Sequence, residues 1–207
     1  MSNRMDSGGQ AGPVRRISEP STDNVFRDSY RPYLPPDQSP DESEQNFLER
    51  AAKWFDENGA YAHIQGKRPQ TVAFALNDSP AGLAAWIVEK FCEWSDCEGD
   101  VYRCFSRDKL LANIALYWMT QSICSSFGLY HETRRTPLRF GADDFVHVPC
   151  GISRFPKDIP LPPRKWVERG YNVQSWTEMP KGGHFAAAEQ PDLLAADIRA
   201  FFRPLRR

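Results

Sequence analysis

The chain has 207 residues, 41% of them hydrophobic and 26% charged, with a formal net charge of −1. That composition fits a globular body with a sizeable core and gives no electrostatic reason to expect nucleic acid or an anionic membrane surface as partner. Seventeen prolines and a mean hydropathy of −0.59 add a polar, unstructured portion, and no apolar run suits a membrane segment or the core of a signal peptide.

Residues 1 to about 44 carry the disorder signal. Ser, Gly, Pro, Asp and Arg dominate, and Pro32, Pro35, Pro36 and Pro40 stop any helix from propagating. Too little apolar surface is available to offset the entropy of ordering. A tail is expected, and Arg15-Arg16-Ile17-Ser18 within it reads as a chance match to a kinase target. From Ser43 the spacing of Phe47, Leu48, Ala51, Ala52, Trp54 and Phe55 predicts a helix closed by Asn58-Gly59. Ala60 to Gln65 follows, then a basic loop, Gly66 to Pro69. By position alone Tyr61 reads as a core aromatic with its hydroxyl near the surface, and His63 as a satisfied structural histidine.

Ser79 suits a helix N-cap and Pro80 the first helical position. The helix they open, through Trp94, is apolar over more than half its circumference and is expected to be buried between other elements. Ser106, with Asp108 in the first turn, starts another helix that runs toward Ile123. Ser125 to Glu132 stands at its end, and a polar, basic loop is expected up to residue 145. Cys92, Cys97, Cys104, Cys124 and Cys150 are odd in number and form no Cys-x-x-Cys pair. They read as reduced thiols of a cytoplasmic chain, not as metal ligands or a disulfide framework.

Phe145 to Gly151 reads as a buried strand, followed by a Pro-rich stretch that contains Asp158. A carboxylate just beyond a strand's carboxyl end is where an open α/β sheet places its chemistry, although position alone also fits a surface charge. Lys165 to Arg169 predicts a short helix with Trp166 packing inward, and 173–178 a second strand. That strand leads into Lys181-Gly182-Gly183-His184-Phe185-Ala186-Ala187-Ala188-Glu189-Gln190-Pro191, where two glycines permit a sharp turn that presents a histidine. Taken alone this is an ordinary structural turn. A final amphipathic helix uses Leu193, Leu194, Ile198, Phe201 and Phe202, with Arg199, Arg203, Arg206 and Arg207 favourable at its C-terminal end.

In combination these pieces are specific. Gly59–Gln65, Ala75-Leu76-Asn77-Asp78-Ser79-Pro80-Ala81-Gly82-Leu83-Ala84-Ala85-Trp86, Ala115-Leu116-Tyr117-Trp118 and Leu129-Tyr130-His131-Glu132 precede the strand–acid and Gly-Gly-His pieces in that order. Residues 45 to 207 thereby resemble the C-terminal half of epoxide hydrolases of the microsomal type, in the α/β-hydrolase superfamily. The resemblance implies a partial α/β-hydrolase fold, with a tail over 1–44, a helical cap over 45–144, and the last two core strands and C-terminal helix over 145–207. It implies that His184 is the general base, Asp158 its orienting acid, and Tyr61 and Tyr130 the donors to the epoxide oxygen. It also implies an epoxide as substrate, a small apolar one given the aromatic-rich cap helices, and no cofactor or metal.

The aspartate nucleophile of that family is not recognisable. Asp23, Asp28, Asp37, Asp41 and Asp56 all lie in polar or helical contexts, and no His-Gly-Trp-Pro-like oxyanion segment is present. The expectation is therefore a chain inactive by itself and marginally stable, prone to oligomerise or to pair with a complementing N-terminal half. The alternative is a non-enzymatic subunit that docks on an intact homologue. A dehalogenase-like hydrolase is disfavoured by the tyrosine pair, since a halide calls for N–H donors.

Overall fold

The computed structural model describes residues 39–137, 141 and 143–206. The tail up to residue 38, with Arg15–Ser18, Asp23, Asp28 and Asp37, lies outside the described residues, as do residues 138–140, Ala142 and Arg207. Helix α1 (Glu42–Asn58) begins inside the range expected to be tail, because Asp41 completes a capping box with Glu44. Asp41 accepts from the amides of Ser43 and Glu44, and Glu44 Oε2 accepts from the Asp41 amide at 2.9 Å. Those bonds satisfy donors that a helix start otherwise leaves orphaned.

After Gly59 come α2 (Ala60–Lys67), α3 (Pro69–Asp78) and α4 (Pro80–Glu93). The expected basic loop at 66–69 is not a loop: the helices meet at Arg68, with Pro69 in the first turn of α3. Ser79 caps α4 by accepting from Gly82 at 3.0 Å. Only Leu83 within α4 is fully buried, so the expectation of a wholly enclosed helix is met in part. A loop with a 3-10 turn (Val101–Arg103) leads to Ser106, which caps α5 (Arg107–Thr120). Gln121 closes α5 at φ 53°, a left-handed conformation that ends a helix. Two short helices follow, α6 (Ile123–Ser126) and α7 (Gly128–Arg135); α7 reaches further into the stretch expected to be loop.

Ala73, Leu76, Leu83, Ile114, Ile123 and Phe127 join α3, α4, α5 and α6 and the junction after it in one apolar cluster. A second cluster sets Phe47 and Ala51 of α1 against Trp166. A third gathers Val101, Phe105 and Leu110 with Phe91, and Phe185 stacks on Phe91 with ring centroids 4.4 Å apart.

Strand β1 (Val146–Arg154), helix α8 (Arg164–Val167), strand β2 (Tyr171–Glu178), helix α9 (Ala186–Glu189) and helix α10 (Pro191–Phe202) complete the order. The strands pair in parallel, Val146 opposite Tyr171 and Arg154 opposite Glu178, with irregularities around Cys150. Asp197 of α10 fastens both strands, accepting from Ser153 at 2.5 Å and Thr177 at 2.7 Å.

The N-terminal half of β1 is not buried as expected. Phe145 and Val148 are 40% and 70% exposed. A parallel sheet is normally covered on both faces, whereas β2 and α10 are the main neighbours of β1 among the described residues. The α10 face is correspondingly open at Ile198 and Phe202.

Candidate active site

Asp158 and His184 stand beyond the carboxyl ends of the two strands, and the pairing continues past them. Lys157 and Gly183 form a parallel bridge in which the Lys157 amide donates to the Gly182 carbonyl at 3.1 Å. The next residue on each of these two segments is Asp158 and His184, delivered side by side. His184 Nδ1 lies 2.7 Å from Asp158 Oδ1, an oxygen that also accepts from the Ile159 amide at 2.7 Å. The carboxylate therefore has a fixed orientation. It is not deeply buried, with the Asp158 side chain 21% and that of His184 40% exposed.

The glycines of the His184 turn have steric reasons to be glycine. Gly182 sits at φ 110°, and a Cβ on Gly183 would lie 2.5 Å from the Trp94 carbonyl oxygen and 2.9 Å from Ser95 Cα. The turn is pressed backbone to backbone against the segment that leaves α4.

The tyrosines come from α2 and α7, which pack closely where Gly66 leaves room for Arg134; His131 Nδ1 also reaches the Gly66 carbonyl at 3.1 Å. Tyr61 and Tyr130 meet edge to face with centroids 5.8 Å apart. Tyr61 is buried as a whole residue, deeper than the sequence reading of a hydroxyl near the surface. Burial raises the Tyr130 pKa above the ordinary phenol value, and a hydrogen bond with Gln65 partly opposes the shift. The Gln65 side chain is itself buried and accepts from the Trp86 indole at 3.3 Å. His63 is exposed on α2.

All four residues singled out from sequence line one cavity of about 170 Å³. Tyr61, Tyr130 and Trp94 lie in its wall with Asp158 and His184, and Phe47, Phe55 and Leu161 add apolar surface. Such a space has phenolic donors and an imidazole–carboxylate pair on one apolar chamber. That combination can bind a small apolar molecule, stabilise a developing oxyanion and draw a proton from water.

No family model matches the chain. It is 46% identical over 150 residues to epoxide hydrolase 1 of Sus scrofa, covering 68% of this chain and 33% of that protein. Among solved structures it resembles Aspergillus niger epoxide hydrolase, with a TM-score of 0.68 and 33% identity over 84% of this chain and 43% of that one. It also resembles the juvenile hormone epoxide hydrolase of the silkworm Bombyx mori, with a TM-score of 0.69 and 30% identity over 81% of this chain and 43% of that one.

The chain belongs to the epoxide hydrolase family. It spans about a third of the length of the Sus scrofa relative, and its architecture is a partial α/β-hydrolase fold: helical cap elements, two parallel strands and a C-terminal helix. Three residues at this candidate site are not legible in the sequence as site residues. Trp94 reads in sequence as one more apolar residue of α4, yet its ring is 5.0 Å from Tyr61 and 5.5 Å from His184. Gln65 looks like a polar helix residue, and Glu189 like an acid in a helix; only tertiary contacts reveal what they hold. Among the described residues no helix is long and apolar enough to cross a membrane, and no group of three His, Cys, Asp or Glu side chains is arranged to hold a metal ion.

Proposed function

We propose that this chain supplies the ring-opening and water-activating half of an epoxide hydrolase site. Tyr61 and Tyr130 donate hydrogen bonds to the epoxide oxygen as its C–O bond breaks. His184, oriented by Asp158, takes a proton from the water that cleaves the aspartyl ester, and its cationic form is stabilised by the carboxylate. The observation that carries this reading is the single cavity shared by both tyrosines and the His184–Asp158 pair. The substrate is a small apolar epoxide, in keeping with the aromatic wall. A cytoplasmic setting belongs to the same reading, supported by the five unpaired cysteines.

The aspartate nucleophile comes from elsewhere in this proposal. Asp41 caps α1 and Asp56 is an exposed residue of the same helix, so neither faces the reacting centre. The chain alone is then expected to give no diol from an aryl-substituted epoxide above the uncatalysed rate. Adding the part of the Sus scrofa relative that this chain does not cover should restore diol formation. In that mixture His184→Gln should trap the ester, seen as a mass increase on the added half. Normal turnover by the His184→Gln variant would overturn the base assignment, and turnover by the chain alone would overturn the division of labour.

A second reading, a non-enzymatic subunit docking on an intact homologue, is favoured by the exposed apolar side chains Phe145 and Val148 at the start of β1 and Ile198 and Phe202 on α10. The intact mass of the native protein, captured by a C-terminal epitope, separates the two. A chain near 23.7 kDa that co-purifies with a complete homologue supports docking; one about twice that mass, as expected for a chain carrying its own nucleophile, supports a self-sufficient hydrolase.

A further inference from the structure

Four consecutive backbone N–H groups around His184 are all taken. Gly182 donates to Asp96 Oδ2 at 2.9 Å and Gly183 to Glu189 Oε2 at 3.0 Å. His184 donates to the Trp94 carbonyl at 2.8 Å and Phe185 to Glu189 Oε1 at 3.0 Å. Glu189 Oε2 also accepts from the Asp96 amide at 2.8 Å. One carboxylate therefore grips the residues on both sides of His184 and ties them to the segment leaving α4.

We propose that Glu189, with Asp96 as its counterpart, is a positioning residue that aims the His184 imidazole at Asp158. The proposal rests on the reading of His184 and Asp158 as a base and its orienting acid. A carboxylate suits the task because it is acceptor-only and its two oxygens offer about four lone-pair sites. Three amides converge on Glu189, and none has to compete with a donor. Gln has the same shape but turns an NH2 group toward at least one of those amides, so the substitution tests the acceptor chemistry without changing volume. Asp is one methylene shorter and cannot reach the same amides from the Glu189 backbone without a shift. Beyond its contact with Asp158 the imidazole is 40% exposed and meets ring edges, those of Trp94 and Phe185 with centroids 5.5 and 5.3 Å away, which limit its position without selecting a ring nitrogen as a hydrogen bond does. Its direction is consequently inherited from the backbone that Glu189 and Asp96 hold.

The test is the tautomer of His184, read from two-bond proton–nitrogen spectra of the full labelled chain at alkaline pH and assigned with His184→Gln. In the wild type the neutral ring should carry its proton on Nδ1, facing Asp158. Glu189→Gln should lower the Nδ1–H share by about twofold or more, with the His63, His131 and His147 signals unmoved. Asp96→Asn, which weakens one bond of the set, should move it less and in the same direction. A wild-type tautomer in Glu189→Gln overturns the proposal. Should that variant fail to fold, an unchanged tautomer in Asp96→Asn overturns it equally. Asp158→Asn separates the two ideas: it should abolish the Nδ1–H preference whatever Glu189 does. If it changes nothing, the acid–base pair fails, and the positioning role fails with it.

Discussion

The carbonyl of Trp94 accepts the His184 amide at 2.8 Å while the Trp94 indole stands edge-on to the His184 imidazole, with ring centroids 5.5 Å apart. The same indole lies 5.0 Å from Tyr61. A single residue at the end of α4 thus touches the candidate base through backbone and ring, and one of the candidate oxygen donors through its ring. This contact couples the helical region directly to the His184 turn, so the donors and the base are expected to shift together.

The paired tyrosines give the first prediction. In the reconstituted enzyme, Tyr61→Phe and Tyr130→Phe should each slow ester formation by about 10²–10³-fold, the usual scale for removing one oxyanion donor. The double variant should form no ester detectable by mass. Tyr130→Phe should also cost about 1 kcal/mol of stability, because Gln65 loses a hydrogen-bond partner; a urea titration reads that directly.

Gly183→Ala and Gly128→Ala should act in opposite directions. At Gly183 the new methyl group meets backbone atoms at 2.5 to 3.0 Å, which cannot move without opening the seam to α4. A loss of about 1–3 kcal/mol is expected. At Gly128, in the first turn of α7, a Cβ meets nothing within 4 Å. There the change should stabilise by about 0.4–1 kcal/mol, by narrowing the unfolded ensemble.

Tyr130 links stability to alkaline pH. Its folded-state pKa is raised, first by burial, so the native state holds this proton longer than the unfolded chain does. The associated stability is fully present below the unfolded phenol pKa and is lost as pH rises through the folded value. The difference between wild-type and Tyr130→Phe ultraviolet titrations should show a phenol that ionises above the ordinary pH of about 10. A Tyr130 that ionised at or below that pH would contradict the burial.

The start of α1 should be acid-sensitive. Lys165, hydrogen-bonded to Asp41, is the largest of the influences that hold the Asp41 carboxyl well below the usual carboxylate range, and Ser43 and the Glu44 amide add to it. With a depressed folded pKa, its contribution is present above the unfolded carboxylate pKa and declines as pH falls toward the folded value. Lys165→Met should raise the Asp41 midpoint in a carboxyl NMR titration.

Beside that cap, Glu44 is 1% exposed and lies 2.7 Å from Arg169 Nη2, a close charge contact out of hydrogen-bond alignment. Glu44→Ala removes both the capping bond and this partner. It should cost about 2–4 kcal/mol in chemical denaturation, the upper end reflecting an arginine left without its counter-ion.

Sequence alone determined the elements whose causes are local. The caps at Ser79 and Ser106, Pro80 and Pro191 in the first turns of α4 and α10, the Asn58-Gly59 stop and the Gly-Gly-His turn each follow from one residue's backbone chemistry, so all are legible along the chain. The family was legible as well, because its pieces keep their order. Tertiary structure alone decided the rest. Helix α3 is not legible in the sequence because Gly66 to Pro69 carries breaker residues, although Arg68 suffices as a junction once α2 and α3 pack on their neighbours. The burial of β1 is not fixed by its sequence, because an apolar strand states what it needs covered, while its neighbours decide whether it is covered. Asp158 and His184 are 26 residues apart, and only the Lys157–Gly183 register sets them side by side. Glu189 and Trp94 stand far apart along the chain, and no periodicity relates them. Their roles are set by where backbone N–H and carbonyl groups arrive in space.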